Sequence, residues 1–179
     1  MKCECSLNYN YEVIGLCDIS KFGFYGQIGN NESWTQITIP EILTIPRSKP
    51  NIESIDKIYI KVNIEQSRII STPKTAQNIT SVEGLKLTGR KLLVDGYICQ
   101  TIVYTAATCT QTVHSASFKV PFSTFIVIDA AADIDNDKYC VKACIEDVFS
   151  RPLNPRTIFK NVTLFLHATK SQNPACAQA

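Results

Sequence analysis

The sequence lacks most of the features by which enzymes, membrane proteins and nucleic-acid binders are recognised. It has only two histidines, His114 and His167, and no G-x-S-x-G elbow, H-E-x-x-H pair or phosphate-binding glycine loop. A nucleophile needs a base within reach, and two histidines offer little choice. His114 shares its parity with Ala116, Phe118, Val120 and Phe122, which marks a core-facing histidine with a hydrogen-bond partner. His167 stands opposite the apolar set Val162, Leu164 and Leu166, near an expected strand end. The adjacent carboxylates Glu146 and Asp147 point to opposite faces of an extended chain and make poor acid–base partners. Neither catalysis nor a cofactor is expected.

Charge of one sign is scarce too. The 18 basic and 16 acidic residues leave a net charge of +2, with no basic run and no acidic tail. That speaks against nucleic acid or an anionic membrane as a partner. No apolar run approaches the roughly 20 residues of a membrane-spanning helix. After Met1-Lys2 there is no apolar core of about 7 to 15 residues, so a standard export signal is not expected, and Met1 argues for a native start.

What the sequence does contain is cysteine, eight in 179 residues, too many for a chance buried set. Their close pairs, Cys3-x-Cys5 and Cys140-x₃-Cys144, do not match the two-residue spacing of a zinc knuckle. In a strand, Cys140 and Cys144 would stand about 13 Å apart on one face, too far to chelate one ion or to bond each other. No metal site is expected. Parity puts both with Lys142 and Glu146 on a wet face, against an apolar face of Tyr139, Val141, Ala143 and Ile145. Cys3, Cys5, Cys17 and Cys176 lie outside the periodic part of the chain.

Three regions follow: a cysteine-bearing leader over 1–33, a β domain over 34–170 and a small, polar cysteine-bearing tail over 171–179. Within the leader only Tyr11 to Leu16 alternates enough for a strand, and its aromatics (Tyr9, Tyr11, Phe22, Phe24, Tyr25) are expected to pack against a neighbouring chain. From Trp34 onward β-branched residues dominate, and the prolines suit strand ends and edges. Ile58, Ile60, Val62 and Ile64 alternate with Tyr59, Lys61, Asn63 and Glu65, a strand with one dry face. Asp95-Gly96 reads as a hairpin turn, and the parity slip between Leu87 and Leu92 reads as a β-bulge near Gly89. VHSASFKVPFSTFIVI, YCVKACIEDVFS and RTIFKNVTLFLHATK supply further strands, and a short helix is entertained only around Glu41. The pattern predicts an all-β, mainly antiparallel sandwich or barrel-like domain with an extended N-terminal arm and a short C-terminal tail. Sequons at Asn31, Asn78 and Asn161 carry little meaning without a secretory signal.

The blocks WTQITIPEILTIPRSKPNIESI (34–55), LTGRKLLVDGYI (87–98) with IVYTA after it, QTVHSASFKVPF (111–122) and CIEDVFSRPLNPRTIFKNVTL (144–164) resemble the SPOCS domain of clostridial spore-coat and exosporium proteins. Some members of that family add a C-terminal peptidoglycan-binding LysM module, which does not follow here, and others are cysteine-rich, which this chain matches. The resemblance implies no catalytic residues. It implies synthesis in the mother-cell cytoplasm, assembly on the spore surface, and late exposure to oxidising surroundings, where reduced thiols become disulfides.

The expected function is a structural subunit of a spore-surface layer or filament, with itself and other spore-envelope proteins as partners. Cys3, Cys5, Cys17, Cys140, Cys144 and Cys176 are the candidates for disulfides between subunits, and Cys99 and Cys109 are further candidates. An arm of about ten residues spans up to roughly 35 Å, enough to reach a neighbour. The alternative is a monomeric adaptor that recruits other envelope proteins or glycans.

Overall fold

The computed structural model describes residues 10–18, 33–74 and 86–171. Seven strands make two sheets: β1 (Glu12–Ile14), β2 (Ser33–Thr44), β3 (Ile52–Lys74), β4 (Thr88–Ala106), β5 (Val113–Val127), β6 (Lys138–Asn154) and β7 (Thr157–Ser171). One sheet has the order β1-β3-β4-β5, the other β2-β7-β6. All pairings are antiparallel except the short parallel pair of β1 with β3. The two sheets face each other, with β3 beside β6 and β2 beside β5. The expected all-β sandwich is the fold.

Alternation builds its core. Ile58 and Ile60 of β3, Leu92, Val94, Ile98 and Ile102 of β4, Ile126 of β5, and Ile158, Val162, Leu164 and Leu166 of β7 all turn inward and are buried. Each such side chain contributes about 1.5 to 3 kcal/mol on burial. Most are β-branched, stiff at χ1 and suited to a pleated surface, which explains why no segment prefers a helix. Pro40, Pro121 and Pro152 fall on β2, β5 and β6, the strands that bound the described sheets, where a missing N–H costs least. Beyond the strands, the Arg156 guanidinium donates to Asn51 Oδ1 at 2.8 Å and to the carbonyls of Ile45, Pro46 and Lys49. It ties the β2–β3 loop to the β6–β7 turn.

Two local expectations are overturned. Glu41 is not in a helix. Ile37, Ile39, Glu41 and Leu43 face inward along β2 while Thr38, Pro40 and Ile42 face outward, a period of two sustained by pairing with β7. Nor do Asp95 and Gly96 turn the chain. β4 runs through them, with Gly96 paired to Ile64 on one side and Phe122 on the other. The register shifts between Ile64 and Gln66, leaving one extra residue on β3. A Cβ at Gly96 would meet the Asn63 carbonyl oxygen at 2.5 Å and the Phe122 ring at 2.9 Å. This glycine therefore serves close approach rather than a turn. The bulge expected near Gly89 is present: its φ is +84°, and it faces the shift between Ser71 and Lys74 on β3.

Candidate crosslinking site

The described part of the leader is fastened to both sheets. Residues 12–14 pair with Lys57 to Tyr59, as the alternation from Tyr11 to Leu16 predicts, and the Glu12 carboxylate meets Lys57 Nζ at 2.8 Å. The Tyr11 hydroxyl donates to the Val148 carbonyl at 3.2 Å and accepts from the Ser150 N–H at 2.7 Å, both on β6. Its ring packs against the chain's own core, and Tyr9, Phe22, Phe24 and Tyr25, the other aromatics of the leader, lie outside the described residues. Gly15, at φ +119°, lets the chain pass so close to the Ile60 carbonyl that a Cβ would collide with it. The Cys17 N–H then donates to the Ile145 carbonyl at 3.0 Å, and Cys17 is bonded to Cys144. These contacts run from the β3 edge of one sheet to the β6 edge of the other, so the leader closes that side of the sandwich.

This corrects two readings. Cys17 and Cys144 are partners within one chain rather than candidates for neighbouring subunits. Cys140 and Cys144 do not face solvent: they are 5% and 1% exposed. Parity placed the apolar face of β6 correctly, since Tyr139, Val141, Ala143 and Ile145 belong to the core. The opposite face is covered only in part: Lys142 and Gln36 on it are exposed and Trp34 is 45% exposed, whereas the two thiols are shielded. On it Trp34 packs on Phe165 at 5.9 Å between ring centroids, Phe165 stacks on His167 at 6.5 Å, and Gln36 reaches across β7 to donate to the Glu146 carboxylate at 3.0 Å. Period two tells which residues share a face, but not whether that face meets water.

The other thiols are scattered. Cys99 is half-buried on the outer face of β4 and accepts from Asn63 Nδ2 at 3.3 Å, while Cys109 is exposed in the β4–β5 loop, and the two are not bonded to each other. Cys3, Cys5 and Cys176 lie outside the described residues. Among the described residues no three His, Cys, Asp or Glu side chains gather as a metal cluster. His114 is half-buried, with its Nε2 2.9 Å from Thr112 Oγ1 and its ring stacked on Tyr104. His167 is buried within its strand pairing rather than at a frayed end. Asp147 stands at a β-bulge in the middle of β6, where the register shifts from Ile145.

A polar group in the core was missed from sequence. Glu41 of β2 and Lys160 of β7 are direct register partners, both turned inward, with Lys160 Nζ 3.0 Å from Glu41 Oε2. From the facing sheet Gln100 Nε2 donates to the same oxygen at 2.7 Å. All three are buried. The available signal was the parity of Lys160, which it shares with Ile158, Val162 and Leu164. Burial among these apolar side chains lowers the Lys160 pKa, and Glu41 opposes that only in part.

No curated protein and no solved structure matches the chain. The family model for the SipL SPOCS domain matches residues 51–151, from the start of β3 to near the end of β6. That span holds the whole β3-β4-β5 meander and Cys144. The family is a non-catalytic one of sporulation proteins. The chain belongs to the SipL SPOCS-domain family.

Proposed function

We propose that the protein is a structural subunit of the spore envelope, one that assembles with copies of itself on the spore surface and is locked there by disulfides between subunits. The observation that carries this reading is the anchored leader. With Tyr11 and Cys17 held on β6, Cys5 is joined by only a few residues to a fixed point on the domain. At about 3.3 to 3.6 Å per residue, the thiols of Cys3 and Cys5 stay within roughly 25 Å of Asn10. A tethered pair of thiols is presented to a neighbour at high effective concentration. With Cys17 and Cys144 satisfied by each other, the crosslinking set narrows to Cys3, Cys5 and Cys176, with exposed Cys109 beside them. Sporulation membership and an even cysteine count fit the same reading.

The second reading, an adaptor, draws on an open groove of about 600 Å³ on the outer face of the β3-β4-β5 sheet. Tyr59, Lys61, Thr101, Ser117 and Lys119 line it beside Gly15. Electron microscopy of the purified protein, with reducing and non-reducing gels of the same sample, separates the two. Ordered sheets, rings or filaments, and ladders lost both on reduction and in a Cys3→Ser/Cys5→Ser variant, support the subunit. A monomer under oxidising conditions at high concentration refutes it and directs attention to the groove.

A further inference from the structure

The Lys160–Glu41–Gln100 group is an unusual thing to bury. A buried ion pair recovers its desolvation cost only when its remaining polar atoms are satisfied. Here Glu41 Oε1 and Gln100 Oε1 have no hydrogen-bond partner among the described residues, and Lys160 Nζ has none beyond its ion-pair contact with Glu41. Leaving such atoms buried and unpaired is costly. As an ion pair alone the group is poorly made. As a set of reactants it is complete: an amine, a carboxamide and a carboxylate buried together between the two sheets.

We propose that Lys160 and Gln100 are joined by an intramolecular isopeptide bond, formed by transamidation with Glu41 as the group that moves the proton. The geometry brings Glu41 Oε2 within reach of both nitrogens that exchange, 3.0 Å from Lys160 Nζ and 2.7 Å from Gln100 Nε2. Glu41 takes a proton from the Lys160 ammonium, which leaves a neutral amine. Burial among Ile158, Val162 and Leu164 lowers the Lys160 pKa and so favours the neutral amine. The Nζ lone pair attacks Gln100 Cδ, and the new C–N bond gives a tetrahedral intermediate with its negative charge on Oε1. Glu41 hands its proton to Nε2, the Cδ–Nε2 bond breaks, and the carbonyl re-forms. The second Nζ proton leaves with the departing nitrogen. Lys160 ammonium and the Gln100 carboxamide thus become one secondary amide and one ammonium ion, and Glu41 ends as the carboxylate it began. No oxidant, reductant or activating group is required.

The bond would join β7 of one sheet to β4 of the other through the centre of the core. Unlike the Cys17–Cys144 link it would survive reduction. For a protein of a resistant envelope this matters, because kinetic resistance rather than folding free energy sets its lifetime. The proposal does not depend on self-assembly, and an adaptor could carry the same bond.

Intact mass spectrometry of the full chain, purified in the folded state and then denatured, fully reduced and alkylated, tests it. The expected mass is that of the sequence less one ammonia, with a branched peptide on digestion that joins the Gln100 segment to the Lys160 segment. Glu41→Gln and Lys160→Arg variants should show the full sequence mass, with folding checked by circular dichroism. If a variant does not fold, the wild-type mass and branched peptide still decide. The full mass in folded wild-type protein after prolonged incubation overturns the proposal, and so does an ammonia loss that maps to any other residue.

Discussion

Cys17 and Cys144 are 127 residues apart in sequence and 5.5 Å apart between Cα atoms, the leader and β6 bonded within one chain. The link spans nearly the whole domain, so its loss restores a large amount of chain freedom to the unfolded state. Reduction, or Cys17→Ser, should lower unfolding free energy by about 2 to 4 kcal/mol without unfolding the domain, whose core does not need the bond. Urea titration with and without reductant measures the difference. A Cys3→Ser/Cys5→Ser/Cys17→Ser/Cys176→Ser variant should keep the β-sheet circular dichroism, and its loss would mean that the sandwich depends on its thiols.

Tyr11→Phe removes one hydroxyl that serves two backbone groups of β6, the Val148 carbonyl and the Ser150 N–H. Ser150 is fully buried, so its N–H would lose its partner where water does not easily replace it. The expected cost is about 1 to 3 kcal/mol. Amide exchange at Ser150 should accelerate well before that of the central β7 amides. Equal protection in both proteins would show that the leader contributes no fastening there.

Gly96→Val tests the close approach of β3 and β5 to β4. Its new side chain would press on the Asn63 carbonyl and the Phe122 ring, and the strand backbone on both sides leaves no free direction. Overpacking of this kind costs about 1 to 3 kcal/mol. A lowered thermal midpoint is expected. A turn at this position would instead tolerate the change poorly by backbone conformation and show no clash with Phe122, so a compensating Phe122→Leu substitution should restore stability only in the continuous strand.

The loop between β5 and β6 carries an acid-sensitive latch. Asp133 is held below the usual aspartate range, first by the Asn136 side chain and then by the Asp135 N–H, and Asp137 is held below it by Lys170 at 2.7 Å. A carboxyl that binds its proton less tightly when folded stabilises the fold fully above its unfolded pKa of about 3.9 and loses that contribution as pH falls through the lower folded value. Lys170, raised by Asp137, works the other way and loses its contribution only as pH rises past its ordinary value of about 10.4. Exchange protection of the amides that these carboxylates accept from, those of Asp133 and Asp135, should therefore hold at neutral pH and fall below about pH 4 while the core stays protected. Asp133→Asn should flatten that dependence. Unchanged protection across the acid range would remove the latch.

Much of this was legible in the sequence because alternation is a local property. The inward sets of β3, β4 and β7 could be read from Ile58 and Ile60, from Leu92 and Val94, and from Val162 and Leu164, since a strand must turn successive side chains to opposite faces. The bulge at Gly89 was visible for the same reason, as a break in parity. Asp95-Gly96 misled because the same two residues suit a turn and a tight strand crossing, and only the neighbours at Asn63 and Phe122 distinguish them.

Composition and alternation by themselves determined an all-β domain, the identity of its inward faces and the edge placement of its prolines, while the resemblance of its sequence blocks pointed to the sporulation family. Tertiary structure alone decided which cysteines meet, which residues of a second face are covered and which polar residues share the core. Cys17 finds Cys144, and Lys160 finds Glu41 and Gln100, because strands distant in sequence are brought together by the sheet order and the stacking of two sheets. A pattern of period two records the direction of each side chain, and the partner waiting in that direction is set by how the whole chain packs.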